Sequence, residues 1–216
     1  LLISSSIKIP NHSIIHAHHP IFMLPFILTK RQNPKVCTFH GVPLDWVKVN
    51  YHFLYPFIKP IYKHIERRVI ENVDMITTAG SSPKIGLKER YPELDLDKKI
   101  TVIPSGVDLD TFRPMNKYEL RKKHNLDKFD TILLFAGRLA QQKNLELLLK
   151  SFSLVEHVLE NSALVIVGRG EKEEEIKLFS KKLGIENVVF TGEVKTKEVP
   201  ELFNCADVIT LTSWYE

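Results

Sequence analysis

Two cysteines in 216 residues, Cys37 and Cys205, lie far apart in apolar surroundings, which excludes a disulfide framework and a thiolate metal set and fits a reducing cytoplasm. Long apolar runs are also missing. The longest near the N-terminus, Ile21 to Leu28, is broken by Pro25, has no cationic segment before it and falls well short of the roughly 20 residues a spanning helix needs. Charge of one sign is scarce: the net charge is +4, with 14 basic and 10 acidic side chains in residues 1–112 and 16 of each in 113–216. Two motif elements are absent as well. After His16-Ala17-His18 comes His19-Pro20 where a metallo-hydrolase of the HxHxDH type needs Asp-His, and Glu173 stands where a dinucleotide fingerprint opened by Gly168-Arg169-Gly170 wants its third glycine. A hydrolase metal centre and a dehydrogenase are thereby disfavoured. The first residue is Leu, so a fragment is expected.

What the chain does have is a strand, a loop and a helix between Thr131 and Leu159. Ile132-Leu133-Leu134-Phe135-Ala136 is short and apolar enough for a strand buried on both faces. Leu145, Leu148, Leu149, Phe152, Val155 and Leu159 form the stripe of a core-facing helix, for which Asn144 is the expected N-cap. Between them, Gly137 permits a sharp turn, and Arg138 and Lys143 set two cations beside a helix N-terminus, where unpaired N–H groups favour an anion. The loop is read as a diphosphate cradle at the edge where open α/β sheets bind ligands.

The first half alternates in the same way. Strands are expected at Ser13 to Ala17, running into the histidine loop, at Pro34 to Phe39 ending in His40-Gly41, at Val73 to Ala79 and at Ile100 to Pro104. A helix from Pro83, capped by Ser82, runs to Tyr91. Between Trp46 and Arg68 the residues Trp46, Tyr51, Phe53, Tyr55, Phe57 and Tyr62 interleave with Lys48, Lys59, Lys63, Arg67 and Arg68, opposed only by Glu66. Two readings stay open: contact with an anionic membrane surface, or a core-facing aromatic stripe with a solvated basic face. Nucleic acid is not expected, because no recognition module accompanies the patch.

In the second half, a basic helix over 117–126, a strand over Leu164 to Val167, an acidic-fronted helix to Lys182, a strand over Asn187 to Thr191, a short helix from Lys197 to Asn204 and a strand over Val208 to Leu211 complete the alternation. Glu171 and Glu173 to Glu175 suit the positive end of that solvated helix. The fold class is α/β, with two Rossmann-like parallel-sheet domains, 1–112 and 113–216.

Gly137-Arg138-Leu139 with Lys143-Asn144, then Ala163 to Gly170-Glu171, Val189 to Val194, and Ala206-Asp207 before a last strand, in that order, resemble the nucleotide-binding half of retaining glycosyltransferases of family 4, which have the GT-B fold. The first half resembles the same family's N-terminal domain, with His16 in its HxHxP loop. The resemblance covers nearly the whole chain, with both domains incomplete. It implies two domains facing a cleft and transfer of a sugar from a nucleotide-diphosphate sugar to a glycan or lipid-linked acceptor with retention of configuration.

On this resemblance the catalytic residues are His40, Arg138, Lys143 and Glu216, and the substrate-binding ones are His16, Ser81, Gly137, Gly170 and Val194. Glu216 would open an E-x7-E motif, and the backbone near Val194 would hold the base. Ser105 departs from the family, which usually has Asn there. No metal or other cofactor is expected, since no Asp-x-Asp pair falls near the cleft to hold one, and the enzyme is placed in the cytoplasm, peripheral at the inner face of the membrane. The alternatives are a nucleotide-binding remnant without catalysis, or another GT-B enzyme such as a sugar-nucleotide epimerase or a phosphorylase.

Overall fold

The computed structural model describes residues 8–29, 32–41, 44, 47–48 and 51–214. It divides after Gly106 into two compact units, each built on its own sheet.

In the first unit β1 (Ile15–Ala17), β2 (Lys35–Phe39), β3 (Met75–Thr78) and β4 (Ile100–Val102) form one sheet in sequence order. Every pairing is parallel, with Ala17 opposite Cys37, Phe39 opposite Thr78 and Thr78 opposite Val102. The crossovers carry α1 (Pro20–Leu28), α2 (Tyr55–Asn72) and α3 (Ser81–Arg90) among the described residues. The apolar run Ile21 to Leu28 thus folds as a helix packed on α2, with Met23 fully buried. Helix α3 starts before Pro83, with Gly80 rather than Ser82 at the cap position and no side-chain cap, so Ser81 and Ser82 both lie in the first turn. Inside, Glu66 of α2 is sealed from solvent and takes Arg90 at 2.6 Å and the Tyr91 hydroxyl at 2.9 Å, an ion pair that ties α2 to the end of α3.

The second unit contains α4 (Lys117–Lys123), β5 (Thr131–Ala136), α5 (Leu145–Glu156), β6 (Ser162–Val167), α6 (Glu173–Lys182), β7 (Val188–Gly192), α7 (Val199–Cys205) and β8 (Val208–Ile209). The strand order is β7-β6-β5-β8, all parallel. The chain therefore builds outward from β5 to one side and then returns to pair β8 on the other. Ile132, Leu134, Ala163, Val165 and Val167 face a core with Leu126, Phe129, Leu202 and Cys205. Phe135, Leu164 and Ile166 face the opposite one with Leu145, Leu148, Leu149, Phe152 and Ile176. Central strands buried on both faces, with helices on each, are what the apolar runs predict.

Several sequence expectations shift in detail. The basic helix ends at Lys123, with Asn116 capping it through the amides of Tyr118 and Glu119. Helix α5 stops at Glu156, so Leu159 falls beyond it and stands exposed. A one-turn 3-10 segment, Gln141–Lys143, precedes α5, and Asn144 follows it with φ +49°; from that left-handed geometry its side chain makes no capping hydrogen bond. Asparagine tolerates this backbone where most residues do not.

Asp207, just before β8, anchors the lower edge of the second sheet. It accepts from the Ile132 amide at 2.7 Å, from Arg121 at 2.5 Å and from Lys117. Arg121 is itself buried and also donates to the carbonyls of Cys205, Phe129 and Asp130. Burial raises the Asp207 pKa, but the donors from Lys117, Ile132 and Arg121 outweigh it and hold the carboxyl below its usual value. A depressed carboxyl stabilises the fold fully above the ordinary carboxylate pKa and loses that contribution as pH falls through the lower folded value. We expect Asp207→Asn to cost about 2–3 kcal/mol at pH 7, with the difference from wild type shrinking below about pH 4. Denaturant melts of both proteins at the two pH values check this, and a pH-independent difference would contradict it.

Candidate functional site

The reversal of strand order places a switch point between β5 and β8, and ligands of open parallel sheets bind outside the carboxyl ends of the strands at such a point. The loop after β5 is Gly137 to Lys143, and the segment after β8 folds against it. Thr212 Oγ1 donates to the Lys143 and Asn144 carbonyls at 3.0 and 3.2 Å, and the Trp214 amide donates to the Gln142 carbonyl at 2.9 Å. Ser213 Oγ is shut off from solvent at this point and has no hydrogen-bond partner among the described residues.

The loop after β6 is zipped to the loop after β5 by backbone. Gly137 N donates to Val167 O, Leu139 N to Arg169 O and Lys172 N to Leu139 O, at 2.9–3.0 Å. No side chain fits at the two glycines between these bonds. A Cβ on Gly168, whose φ is +123°, would stand 2.1 Å from the Gly137 carbonyl oxygen, and one on Gly170 would stand 2.3 Å from the Leu139 carbonyl oxygen. The Gly-x-Gly pair therefore has a packing reason of its own, namely the close approach of two chain segments. Gly137 sits between the Phe135 ring and the Lys143 stem, 3.4 and 4.0 Å from where its Cβ would be.

This frame carries the cations. Arg138 projects from the zipped loop with three quarters of its side chain exposed (75%) and pairs with Glu171 through Nε at 3.2 Å and Nη2 at 3.1 Å. Glu171 thus serves as a counter-ion to Arg138 as well as preceding the acidic first turn of α6. Lys143 is half-buried at the end of the 3-10 turn, beside the same loop. Arg169, which the sequence does not single out, joins this edge: its guanidinium lies against Gly192, with Nε 3.4 Å from where a Cβ would be. The signal for it was available, since it lies in the loop that leaves β6, the strand beside β5. Val194, after β7, is half-buried against the core on the α4 and α7 face. A cavity of about 100 Å³ between the first turns of α5 and α6, lined in part by Glu146, Glu175, Lys172 and Trp214, is too small for a nucleotide, whose pockets run to about 300–1,000 Å³.

The carboxyl edge of the first sheet gathers histidines. His16, from the middle of β1, shares a hydrogen bond with Thr38 Oγ1 at 2.7 Å, and Thr38 meets Thr77 Oγ1 at 2.6 Å inside the sheet. His18 stacks on His16 and contacts His40, which directly follows β2, through Nδ1 and Nε2 at 3.0 Å. His19 caps α1, its Nδ1 accepting from the Ile21 amide at 3.2 Å. Burial lowers its pKa, opposed by the charge of Glu66 and reinforced by His40. Ser81 is exposed in the first turn of α3, after β3. His16, His18 and His40 are thus brought together, and Gly137, Arg138, Lys143 and Gly170 form a second group in the other unit. Glu216 and Trp46 lie outside the described residues.

Among the described residues no group of three or more His, Cys, Asp or Glu is arranged to hold a metal ion. Two Asp-x-Asp pairs occur and have other partners. Asp97 pairs with Lys84 and Lys88, and Asp108 accepts from the Thr111 hydroxyl and the amides of Asp110 and Thr111. Among the described residues no helix is long and apolar enough to cross a membrane.

Two parallel-sheet units of this kind define the GT-B class of glycosyltransferase fold. Solved structures with that fold include sucrose-phosphate synthase from Thermosynechococcus elongatus, at a TM-score of 0.73 and 19% identity over 94% of this chain and 51% of that one. HepE from Anabaena in complex with UDP aligns at a TM-score of 0.73 and 14% identity, over 93% of this chain and 53% of that one. The family model for Glycosyltransferase Family 4 matches residues 4–111, and the model for Glycosyl transferases group 1 matches residues 116–216. The chain belongs to glycosyltransferase family 4. Among curated relatives, the GDP-mannose-dependent alpha-(1-6)-phosphatidylinositol monomannoside mannosyltransferase of Mycobacterium tuberculosis is 30% identical over 70% of this chain and 39% of its own length. A D-inositol 3-phosphate glycosyltransferase of Segniliparus rotundus is 29% identical over 64% of this chain and 32% of its own. The chain thus spans about two fifths of the length of the first curated relatives and about half that of the solved structures.

Proposed function

We propose that the protein transfers a hexose from a nucleotide-diphosphate sugar to a glycan or lipid-linked acceptor, with retention of configuration and without a metal at the diphosphate. The observation that carries this is the pair of cations, Arg138 and Lys143, on a loop fixed at the switch point beside β5. A departing diphosphate gains negative charge in the transition state, and preorganised cations that meet it lower the barrier. Arg138 offers a planar fork to phosphate oxygens and exchanges Glu171 for the ligand, a swap made easy by the exposure of both side chains. Lys143 supplies a point charge from the other end of the same loop. From the resemblance, His40 and Glu216 orient the donor sugar, His16 and Ser81 line the substrate site, and the backbone near Gly170 and Val194 receives the nucleotide. Relatives named for GDP-mannose and solved structures bound to UDP agree with a nucleotide sugar and leave the base open. The 216 residues alone should turn over little, because they span only part of the length of those relatives.

The acceptor reading favours a membrane surface. Helix α2 has two faces: Tyr62, Glu66, Val69 and Ile70 are buried, while Phe57 and Ile61 stand 71% and 64% exposed on the opposite face with exposed Arg68; Lys59 is exposed on another side, its ammonium over the Tyr55 ring. The core stripe accounts for the buried side of this helix, and the membrane reading is proposed for the exposed one. Arg67 is engaged by Glu71 and Glu93, which makes it a weaker contributor. Exposed apolar side chains that share a face with a cation suit an anionic bilayer. Sedimentation with anionic vesicles should fall at least several-fold in a Phe57→Ser, Ile61→Ser, Lys59→Gln, Arg68→Gln protein, and unchanged sedimentation would remove the membrane from the proposal.

Arg138→Ala and Lys143→Ala in the intact enzyme should each lower kcat by roughly a hundredfold, about 3 kcal/mol, with a smaller loss in donor affinity. Arg138→Lys should recover only part, and wild type should keep its activity in EDTA. Product analysis separates transfer from its alternatives: a new glycoside supports it, whereas an epimerised free nucleotide sugar or a sugar phosphate points to an epimerase or phosphorylase, and no product to a remnant. Activity lost in EDTA and restored by magnesium or manganese, with near-normal turnover in both alanine variants, would overturn the metal-free account.

A further inference from the structure

His18 has no role in the chemistry above, yet its exposed ring touches both of the other histidines of the group. It stacks on His16 with centroids 4.5 Å apart, and His16 is moored to the sheet through Thr38 and Thr77. Toward His40 the geometry differs. The two rings are within 13° of parallel with centroids 5.2 Å apart, while His18 Nδ1 and His40 Nε2 approach to 3.0 Å. A nitrogen contact that short at that centroid distance means the rings meet end to end, so that one N–H faces one lone pair.

Two imidazoles in this arrangement need one proton between them, and the hydrogen bond made by one ring nitrogen sets what the other can do. With Nε2 committed to His18, His40 has only Nδ1 left for a ligand. If His18 carries its proton on Nε2, the commoner neutral form in water, its Nδ1 accepts from His40 Nε2–H. Both rings then keep their preferred tautomer, and His40 Nδ1 is left as an acceptor.

We propose that His18 is a positioning residue that holds His40 in the Nε2–H form, so that His40 Nδ1 accepts a hydrogen bond from a hydroxyl of the transferred sugar. The identity of that ligand rests on the glycosyl-transfer reading; the histidine pair does not. No proton is transferred in the resting pair, and no metal or further reactant is needed.

Nitrogen-15 NMR of the histidine rings in the intact protein tests the pair, with His40 assigned from a His40→Gln spectrum. His40 should be in the Nε2–H form in wild type and should move toward the mixture of a free imidazole in His18→Leu. His18→Asn should restore the wild-type form, since its Oδ1 falls near the position of Nδ1 and can accept. GDP-mannose and UDP-glucose serve as probes of the ligand. For whichever binds, affinity should fall about tenfold in His18→Leu, one hydrogen bond's worth, with kcat little changed, and stay within about threefold of wild type in His18→Asn. An Nδ1–H form of His40 in wild type, an unaltered tautomer in His18→Leu, or equal loss of affinity in the Leu and Asn variants would each overturn the proposal. Failure of wild type to bind either sugar nucleotide would overturn the ligand assignment together with the glycosyl-transfer reading, while the tautomer result would still decide on the pair.

Discussion

The second unit depends on how closely two strand exits approach one another. Gly168 and Gly170 let the chain leaving β6 lie directly on the chain leaving β5, with carbonyl oxygens occupying the space a side chain would need. Three backbone hydrogen bonds then fix the β5 loop, and that fixation decides where Arg138 points and where Lys143 ends. Thr212 and Trp214 close the same loop from the β8 side, so its ends are held from both neighbours of β5. A loop held this way presents charge without having to be ordered by a ligand, which is the preorganisation that the proposed stabilisation of a departing diphosphate requires.

The lower edge of that sheet is secured by a different interaction. Asp207 gathers Arg121, Lys117 and the first amide of β5's apolar run, so β8, β5 and α4 are registered through one carboxylate. The carboxyl edge can then be built from glycines, the exposed Arg138 and the half-buried Lys143, since rigidity is supplied from below and beside. In the first unit the corresponding edge is stiffened by side chains instead, through a row of histidines moored to buried threonines.

Much of this was legible in the sequence because the apolar runs are short, continuous and bounded by loop residues. Ile132 to Ala136 and Leu164 to Val167 could be little other than central strands, and the Leu145, Leu148, Leu149, Phe152 stripe could only be a core helix. Details set by tertiary contact were not legible. The left-handed backbone at Asn144 comes from the preceding 3-10 turn, and a residue suited to capping is also one suited to that backbone. Arg138 pairs with Glu171 across two loops 33 positions apart, which no local pattern encodes. The packing duty of Gly170 is equally invisible in one dimension, where a glycine after a strand reads first as a ligand contact. The aromatic and basic segment divided because a helix shows both faces at once: Tyr62 turned inward and Phe57 outward.

The central claim is that the loop from Gly137 to Lys143 receives the donor's diphosphate. A crystal structure of the intact protein with a nucleoside diphosphate tests it most directly. The account predicts phosphate oxygens within hydrogen-bond distance of the Arg138 guanidinium and the Lys143 ammonium, with Arg138 turned away from Glu171 and no metal ion between protein and phosphate. Phosphates seated elsewhere, with the Arg138 to Glu171 pair intact, would contradict it.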